Sequence, residues 1–425
     1  MRRGAERSRL SGPMFHASHM FRSLAVLVLG FGPGLACSSG TDQPTGGAGG
    51  ATAGGTTSGG APGAGGQAAG GSDGSAGGSG GAGPSVGGDA AGGSSAGGTD
   101  AGGSSSGGDG SGGAAVEGTF RVQGAKLLDR CGEEVVLRGV NEMIIWSSGK
   151  DGDPEFSEIA KTGANVVRIV WNEEGTAAEL ETAIANALKE QLIPMVEHHS
   201  ATGDLSKLPE VVDYWVSPDI IAVLKKYEAD LLLNIANEAG DGNVTAAQFQ
   251  AAYEPAITRL REAGLVLPLI LDAPSWGQNI NVLQASWEAL VAHDPESNLL
   301  FSVHMWWNDP EGTRVKTELA ESVAAGMPLI VGEFAQHAVS QCSAEPFAYG
   351  VLLEEAEKAA IGWLAWSWGA VPNNDCKEDG PFDMAEGGVY GSWTGTWAEE
   401  VAVTHPASIK NTSVRPASIV TGSCN

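Results

Sequence analysis

Eight short apolar runs, separated by longer amphipathic stretches, constrain this chain more than any other feature. They are Val135–Val140, Val166–Trp171, Ile193–His198, Leu231–Asn237, Leu267–Asp272, Leu299–His304, Pro328–Glu333 and Trp363–Ser367. Each is β-branched-rich or continuously apolar, the pattern of a strand buried on both faces. The stretches between them read as helices. Ala178–Gln191 carries Leu180, Ile184 and Leu188 at spacings of four. Ala246–Ala263 stops at Gly264, a good helix terminator, and Phe347–Ala360 is similar. Eight strands with helices between them predict an α/β chain folded as a (β/α)8 TIM barrel. A doubly wound open sheet competes, but it usually shows a Gly-rich phosphate turn after its first strand. Arg138-Gly139-Val140-Asn141 does not follow that pattern.

The barrel needs only part of the chain. Of the 63 glycines, most fall between Ser38 and about Ala115, among Ser, Ala, Thr and a few Asp. Such a block has too few large apolar side chains to offset chain entropy, so residues 38–115 are expected to be a disordered linker. Residues 116–425 suffice for one large domain and hold all twelve tryptophans. The charge balance is 24 Lys+Arg against 51 Asp+Glu. Without a basic patch, a nucleic-acid partner is not expected, and the acidity serves solubility.

Residues 1–37 read as an export signal. Arg2, Arg3, Arg7, Arg9 and Arg22 precede the apolar run Leu24–Leu29, too short to span a membrane. Met14 and Met20 are alternative starts. Gly34-Leu35-Ala36-Cys37 resembles a bacterial lipoprotein signal, which implies lipidation of Cys37 and a membrane contact through that anchor. Gly34 stands where leucine is usual, and ordinary signal cleavage nearby is the alternative. The linker would then be a leash with a reach of about 50 Å. Cys131, Cys342, Cys376 and Cys424 remain, an even number that suggests two disulfides in an exported domain. Three pairings exist. Cys342–Cys376, tying adjacent loops, and Cys131–Cys424, tying the domain's ends, are favoured. No C-x-x-C or H-x-x-x-H spacing suggests a metal site.

The active site of a barrel lies at the C-terminal ends of its strands. Those ends carry Trp146, Arg168, the trio Glu197, His198 and His199, then Asn237 with Glu238, Asp272 with Trp276, His304 with Trp306, Glu333, and finally Trp366 with Trp368. A single polar residue there is often a satisfied core group. Two glutamates closing strands four and seven, across the mouth from each other, suit the paired carboxyl groups of a glycosidase.

Several segments carry a resemblance. Asn237-Glu238 after Leu232-Leu-Asn-Ile-Ala, and Gly332-Glu333-Phe334 after Leu329-Ile-Val, resemble the acid/base and nucleophile motifs of family 5 glycoside hydrolases. Leu137–Val140, Thr162–Val170, Ala201–Gly203, Asp213–Trp215, Asp272–Gln278, Phe301–Met305 and Gly362–Trp368 resemble its bacterial β-mannanase subfamily, in the same order along nearly the whole domain. The resemblance implies that Glu333 is the nucleophile and Glu238 the acid/base. Arg168 would lower the pKa of Glu333. Asn237 would bond the sugar 2-hydroxyl, and His199 and His304 would line the site. Trp366 would lie under the central sugar, with Trp276, Trp307 and Trp368 flooring other subsites. Trp215 and Trp363 read as core. The chain departs from the subfamily at Trp306, where a tyrosine is usual, and at Asn141–Trp146 and Trp171–Gly175.

These observations imply a secreted or lipid-anchored retaining hydrolase acting inside β-1,4-mannan, extracellular or on the outer cell surface, with no cofactor. The alternatives are a β-1,4-glucanase and a surface carbohydrate-binding lipoprotein without catalysis.

Overall fold

The computed structural model describes residues 118–338, 347–373 and 382–424. The lipidation candidate Cys37, the signal and linker segments, and the Cys342–Cys376 pair lie outside the described residues. Eight parallel strands close into a barrel: β1 (Arg138–Glu142), β2 (Val166–Trp171), β3 (Ile193–His198), β4 (Leu232–Asn234), β5 (Leu269–Asp272), β6 (Leu299–His304), β7 (Leu329–Glu333) and β8 (Gly362–Ala365). Each pairs with the next, and β8 returns to β1 through Trp363 opposite Arg138 and Ala365 opposite Val140. The expected (β/α)8 architecture is therefore the observed one.

Helices cover the outside: α1 (Glu155–Ala160), α2 (Ala177–Lys189), α3 (Leu208–Trp215), α4 (Pro218–Tyr227), α5 (Ala246–Glu262), α6 (Ile280–His293), α7 (Thr313–Ala325) and α8 (Tyr349–Ala359). Local sequence sets their ends. Thr176 with Glu179 and Thr245 with Gln248 form capping boxes at the starts of α2 and α5. Ser217-Pro218 divides the connection after β3 into α3 and α4: Pro218 stands at the first position of α4, where its missing N–H leaves no helical bond unmade. The buried stripe Leu180, Ala183, Ile184 and Ala187 turns α2 toward the strands.

Five strands differ in their bounds from the apolar runs, and three of these differences have a clear physical reason. β1 begins at Arg138 because Val135 and Leu137 join a separate apolar cluster with Phe120, Leu127, Ile193, Leu232 and Ile330. The hairpin of Arg121–Gln123 and Lys126–Leu128 contributes Leu127 to that cluster. β4 stops at Asn234, and the chain bends until Glu238 takes φ +48°. β8 stops at Ala365, where Trp366 turns its N–H to the Phe334 carbonyl.

A disulfide joins Cys131 to Cys424, with Cα atoms 5.2 Å apart. It ties the segment after the first hairpin to the last described residue, as that pairing anticipated. Among the described residues no helix is long and apolar enough to cross a membrane.

Candidate active site

The mouth is organised around one guanidinium. Arg168, at the middle of β2, is fully buried. Its Nη1 donates to Glu333 Oε1 at 2.8 Å and Asn141 Oδ1 at 2.9 Å. Its Nη2 donates to Asn237 Oδ1 at 2.7 Å and Asp272 Oδ2 at 3.2 Å, and Nε to Asn234 Oδ1 at 3.0 Å. An arginine has five N–H donors in a rigid fork, so every one is engaged and the side chain cannot turn. Burial would lower its pKa, but Glu197, Asp272, Glu333 and Glu238 outweigh burial and raise it.

Glu333 ends β7 and Glu238 follows β4. A carboxylate oxygen of each and a His304 ring nitrogen lie within 4.8 Å of one another. His304 Nδ1 bridges them, 2.7 Å from Glu238 Oε1 and 3.2 Å from Glu333 Oε2. Its Nε2 lies 3.4 Å from Asp272 Oδ2. Burial works against a charged imidazole, yet Glu333 and Asp272 hold the His304 pKa well above its usual value.

The two glutamates sit in opposite environments. Burial raises the pKa of Glu238, and the nearby Glu333 charge adds to the rise, against the bond from His304. Burial also presses Glu333 upward, but His304, Arg168 and His199 outweigh it, so its pKa falls. Trp306 Nε1 donates to Glu333 Oε2 at 3.2 Å. The indole thus supplies an N–H to this carboxylate, although it cannot accept a proton or a bond in return.

Asn237 holds Arg168 through Oδ1 and donates from Nδ2 to Thr202 Oγ1 at 2.9 Å, leaving its second N–H uncommitted. His199 is half-buried; its Nδ1 lies 2.9 Å from Glu197 Oε1. Its ring stacks on Trp366 with centroids 6.1 Å apart, and Trp146 meets it edge-on at 5.6 Å. Burial lowers its pKa, but Glu197 and Glu333 outweigh this and raise it. Trp146 is 46 % exposed and Trp276 45 %, so these two indoles offer faces to solvent at the rim. They lie on the loops after β1 and β5, on opposite sides of the closed strand order. Gly203, at φ +73°, makes room for Trp276: a Cβ there would stand 2.6 Å from its Nε1.

Two expected sugar platforms are corrected. Trp368 is fully buried and spends its Nε1 on the Gly388 carbonyl at 2.8 Å. Trp307 is also buried, donating to the Gln278 carbonyl at 3.1 Å while Arg314 stacks on it. Neither presents a face to a guest: Trp368 packs against Trp393, and Arg314 lies over Trp307. Trp215 and Trp363 are buried, in keeping with their core reading.

Two residues that organise the mouth were not singled out as site residues from sequence. Asp272 accepts from Arg168, from Asn234 Nδ2 at 3.1 Å and from the Glu238 backbone N–H at 3.2 Å. Although burial opposes it, His304 and Arg168 push its pKa down to about 2. An acid closing a buried strand was the available signal. Glu142 ends β1 and accepts backbone N–H groups of Met143, Gly369, Ala370 and Val371, fastening the loop that follows Trp366 and Trp368. Burial pushes it up to about 7. Among the described residues, Glu238, His304 and Glu333 are the one trio able to converge on a cation. The Arg168 guanidinium bonded to Glu333 disfavours a cation there.

A closed parallel barrel whose mouth brings together one glutamate of raised and one of lowered pKa has the paired carboxyl groups that glycoside hydrolases use. Residues 128–371 match the model of the cellulase family, glycosyl hydrolase family 5. The mannan endo-1,4-β-mannosidase of Cellvibrio japonicus is 32 % identical over 316 residues, covering 72 % of this chain and 70 % of the relative. Among solved structures, a mannotriose complex of Thermomonospora fusca β-mannanase superposes with a TM-score of 0.63 at 27 % identity, covering 71 % of this chain and 99 % of that one. The β-mannanase of Streptomyces thermolilacinus gives 0.63 at 30 % identity, with the same two coverages. This chain belongs to glycosyl hydrolase family 5.

Proposed function

We propose that this protein is a retaining endo-β-1,4-mannanase, exported and tethered outside the cell through Cys37. The observation that carries the chemistry is the pair of glutamate oxygens within 4.8 Å. Retaining enzymes hold their carboxyl groups about 5–5.5 Å apart, and inverting ones about 6.5–9.5 Å, to admit a water. The choice of mannan is supported by the relatives' mannan-directed names.

Glu333, kept ionised by Arg168, Trp306 and His304, attacks the anomeric carbon. Glu238, kept protonated by burial and by the Glu333 charge, gives its proton to the departing glycosidic oxygen as the C–O bond breaks. The ester formed on Glu333 is neutral, so the charge that raised the Glu238 pKa is gone. Glu238 then takes a proton from water, the water oxygen attacks the anomeric carbon, and Glu333 leaves as a carboxylate. Asn237, with one N–H free, is placed to hold the sugar 2-hydroxyl. Trp366 under His199 forms the wall beside the central ring, with Trp146 and Trp276 as rim platforms.

Proton NMR of freshly released products on linear mannan tests the mechanism: the first product should carry the β-anomer. Initial release of the α-anomer, or faster hydrolysis of carboxymethyl-cellulose than of mannan, overturns the reading. Export is supported by the Cys131–Cys424 disulfide, a bond of oxidising compartments. A Cys37→Ala variant should move from the membrane fraction to the soluble one; unchanged partitioning would remove the anchor.

A further inference from the structure

A second pocket of about 270 Å³ opens beside the mouth, on the outer side of β3. Tyr214 and Val211 of α3 form its apolar wall, and His198, Glu173, Ser200 and Lys207 its polar one. His198 is the anomaly. Strand alternation points it away from the barrel interior that Glu197 faces. It is 2 % exposed, and neither ring nitrogen has a hydrogen-bond partner. The nearest charge, Glu173 Oε2, is 3.7 Å from Nε2. Buried polar groups nearly always find partners, so such a ring needs an explanation. Burial pushes its pKa down to about 4, which leaves a neutral ring with one donor and one acceptor nitrogen near pH 7.

We propose that this pocket is an accessory subsite for one uncharged sugar ring, carried as a single-sugar branch on the polysaccharide that occupies the main cleft. This rests on the polysaccharide-hydrolase reading above and extends it. A cavity of this size has room for one pyranose ring. The Tyr214 ring offers a face for sugar C–H groups, packed at 4.8 Å against His198. Its oxygen accepts from Trp171 Nε1 at 2.8 Å, so its own O–H remains to donate. Glu173 covers Nε2 with an exposed side chain whose hydrogen bond comes from Ser200. A guest hydroxyl that displaces this carboxylate meets both the ring nitrogen and an acceptor. Lys207 is paired with Glu210 at 3.1 Å, so the pocket has no free cation to attract an anion, and its ammonium disfavours a metal ion. Ser200 belongs to the same short turn as His199, whose ring stacks on Trp366 in the cleft. Pocket and cleft therefore share that turn as a wall.

The test compares kcat/KM on mannan bearing single galactose branches with kcat/KM on unbranched mannohexaose. Glu173→Ala and His198→Phe should each lose roughly fivefold on the branched polymer, the scale of one hydrogen bond, and stay within twofold on the linear one. Glu173 is exposed, so its variant will fold even if His198→Phe does not. Equal losses on both substrates, or none on the branched one, overturn the proposal. Ligand-observed NMR with methyl α-galactopyranoside needs no hydrolysis: wild type should bind, and Glu173→Ala roughly fivefold more weakly. If wild type cuts no mannan, the function proposed above fails, while this binding experiment still decides the pocket. Binding of the free glycoside with no difference between branched and linear chains would overturn its assignment to a branch.

Discussion

Replacing Asp272 by asparagine should disturb stability and catalysis together. The native carboxyl is fully buried and pushed down to about 2 from 3.8. At about 1.4 kcal/mol per pKa unit, that gap makes the ionised form worth about 2–3 kcal/mol to the fold. Because the folded pKa is depressed, this contribution is complete above pH 4 and is lost as pH falls through 2. A thermal melt at pH 7 should therefore drop by roughly 4 °C, from the usual relation for domains this large. The difference between variant and wild type should close as pH approaches 2. The amide also removes the charge facing His304 Nε2 at 3.4 Å and Arg168 at 3.2 Å. With less positive charge held at His304, Glu333 loses part of what keeps it ionised. The acid limb of kcat/KM should then move up by about one pH unit. An unshifted acid limb together with an unchanged melt would refute this role for Asp272.

Other substitutions separate the parts. Glu333→Ala should lower kcat on mannan by at least about a thousandfold; a wild-type rate would remove it from catalysis. Glu238→Ala should lose about 10²–10⁴-fold on mannan and much less on aryl mannosides whose leaving group needs no proton, and equal losses would contradict its acid role. Trp306→Phe deletes the N–H on Glu333 and should cut kcat about fivefold with KM nearly unchanged; a pure KM effect would make Trp306 a binding residue instead. Cys131→Ser opens a bridge across 293 residues, and should cost about 2–4 kcal/mol in a denaturant titration. No change would show that the ends hold by packing alone.

The barrel was legible because its strands are buried on both faces. Val166–Trp171, Ile193–His198 and Leu299–His304 were bounded correctly by apolar continuity alone. Val135–Val140 was misplaced because apolarity does not separate a strand residue from one that packs beside the strands, as Val135 and Leu137 do in the cluster with Phe120 and Leu127. The glutamates were legible as strand ends. Trp307 and Trp368 were misread because an indole has the same composition whether it faces sugar or core; only its neighbours, Arg314 and Trp393 here, decide. Asp272 was visible but mute, since its meaning lies in four partners contributed by β2, β4, the turn after β4 and β6.

His304 Nδ1 touches both catalytic-type carboxyl groups at once. Its charge lowers the pKa of each. On the two-glutamate mechanism proposed above, retuning this imidazole translates the whole working range along the acidity axis instead of broadening it. An engineer seeking an alkaline variant would gain at one edge and forfeit the other, until a change is found that reaches Glu238 without passing through the shared ring.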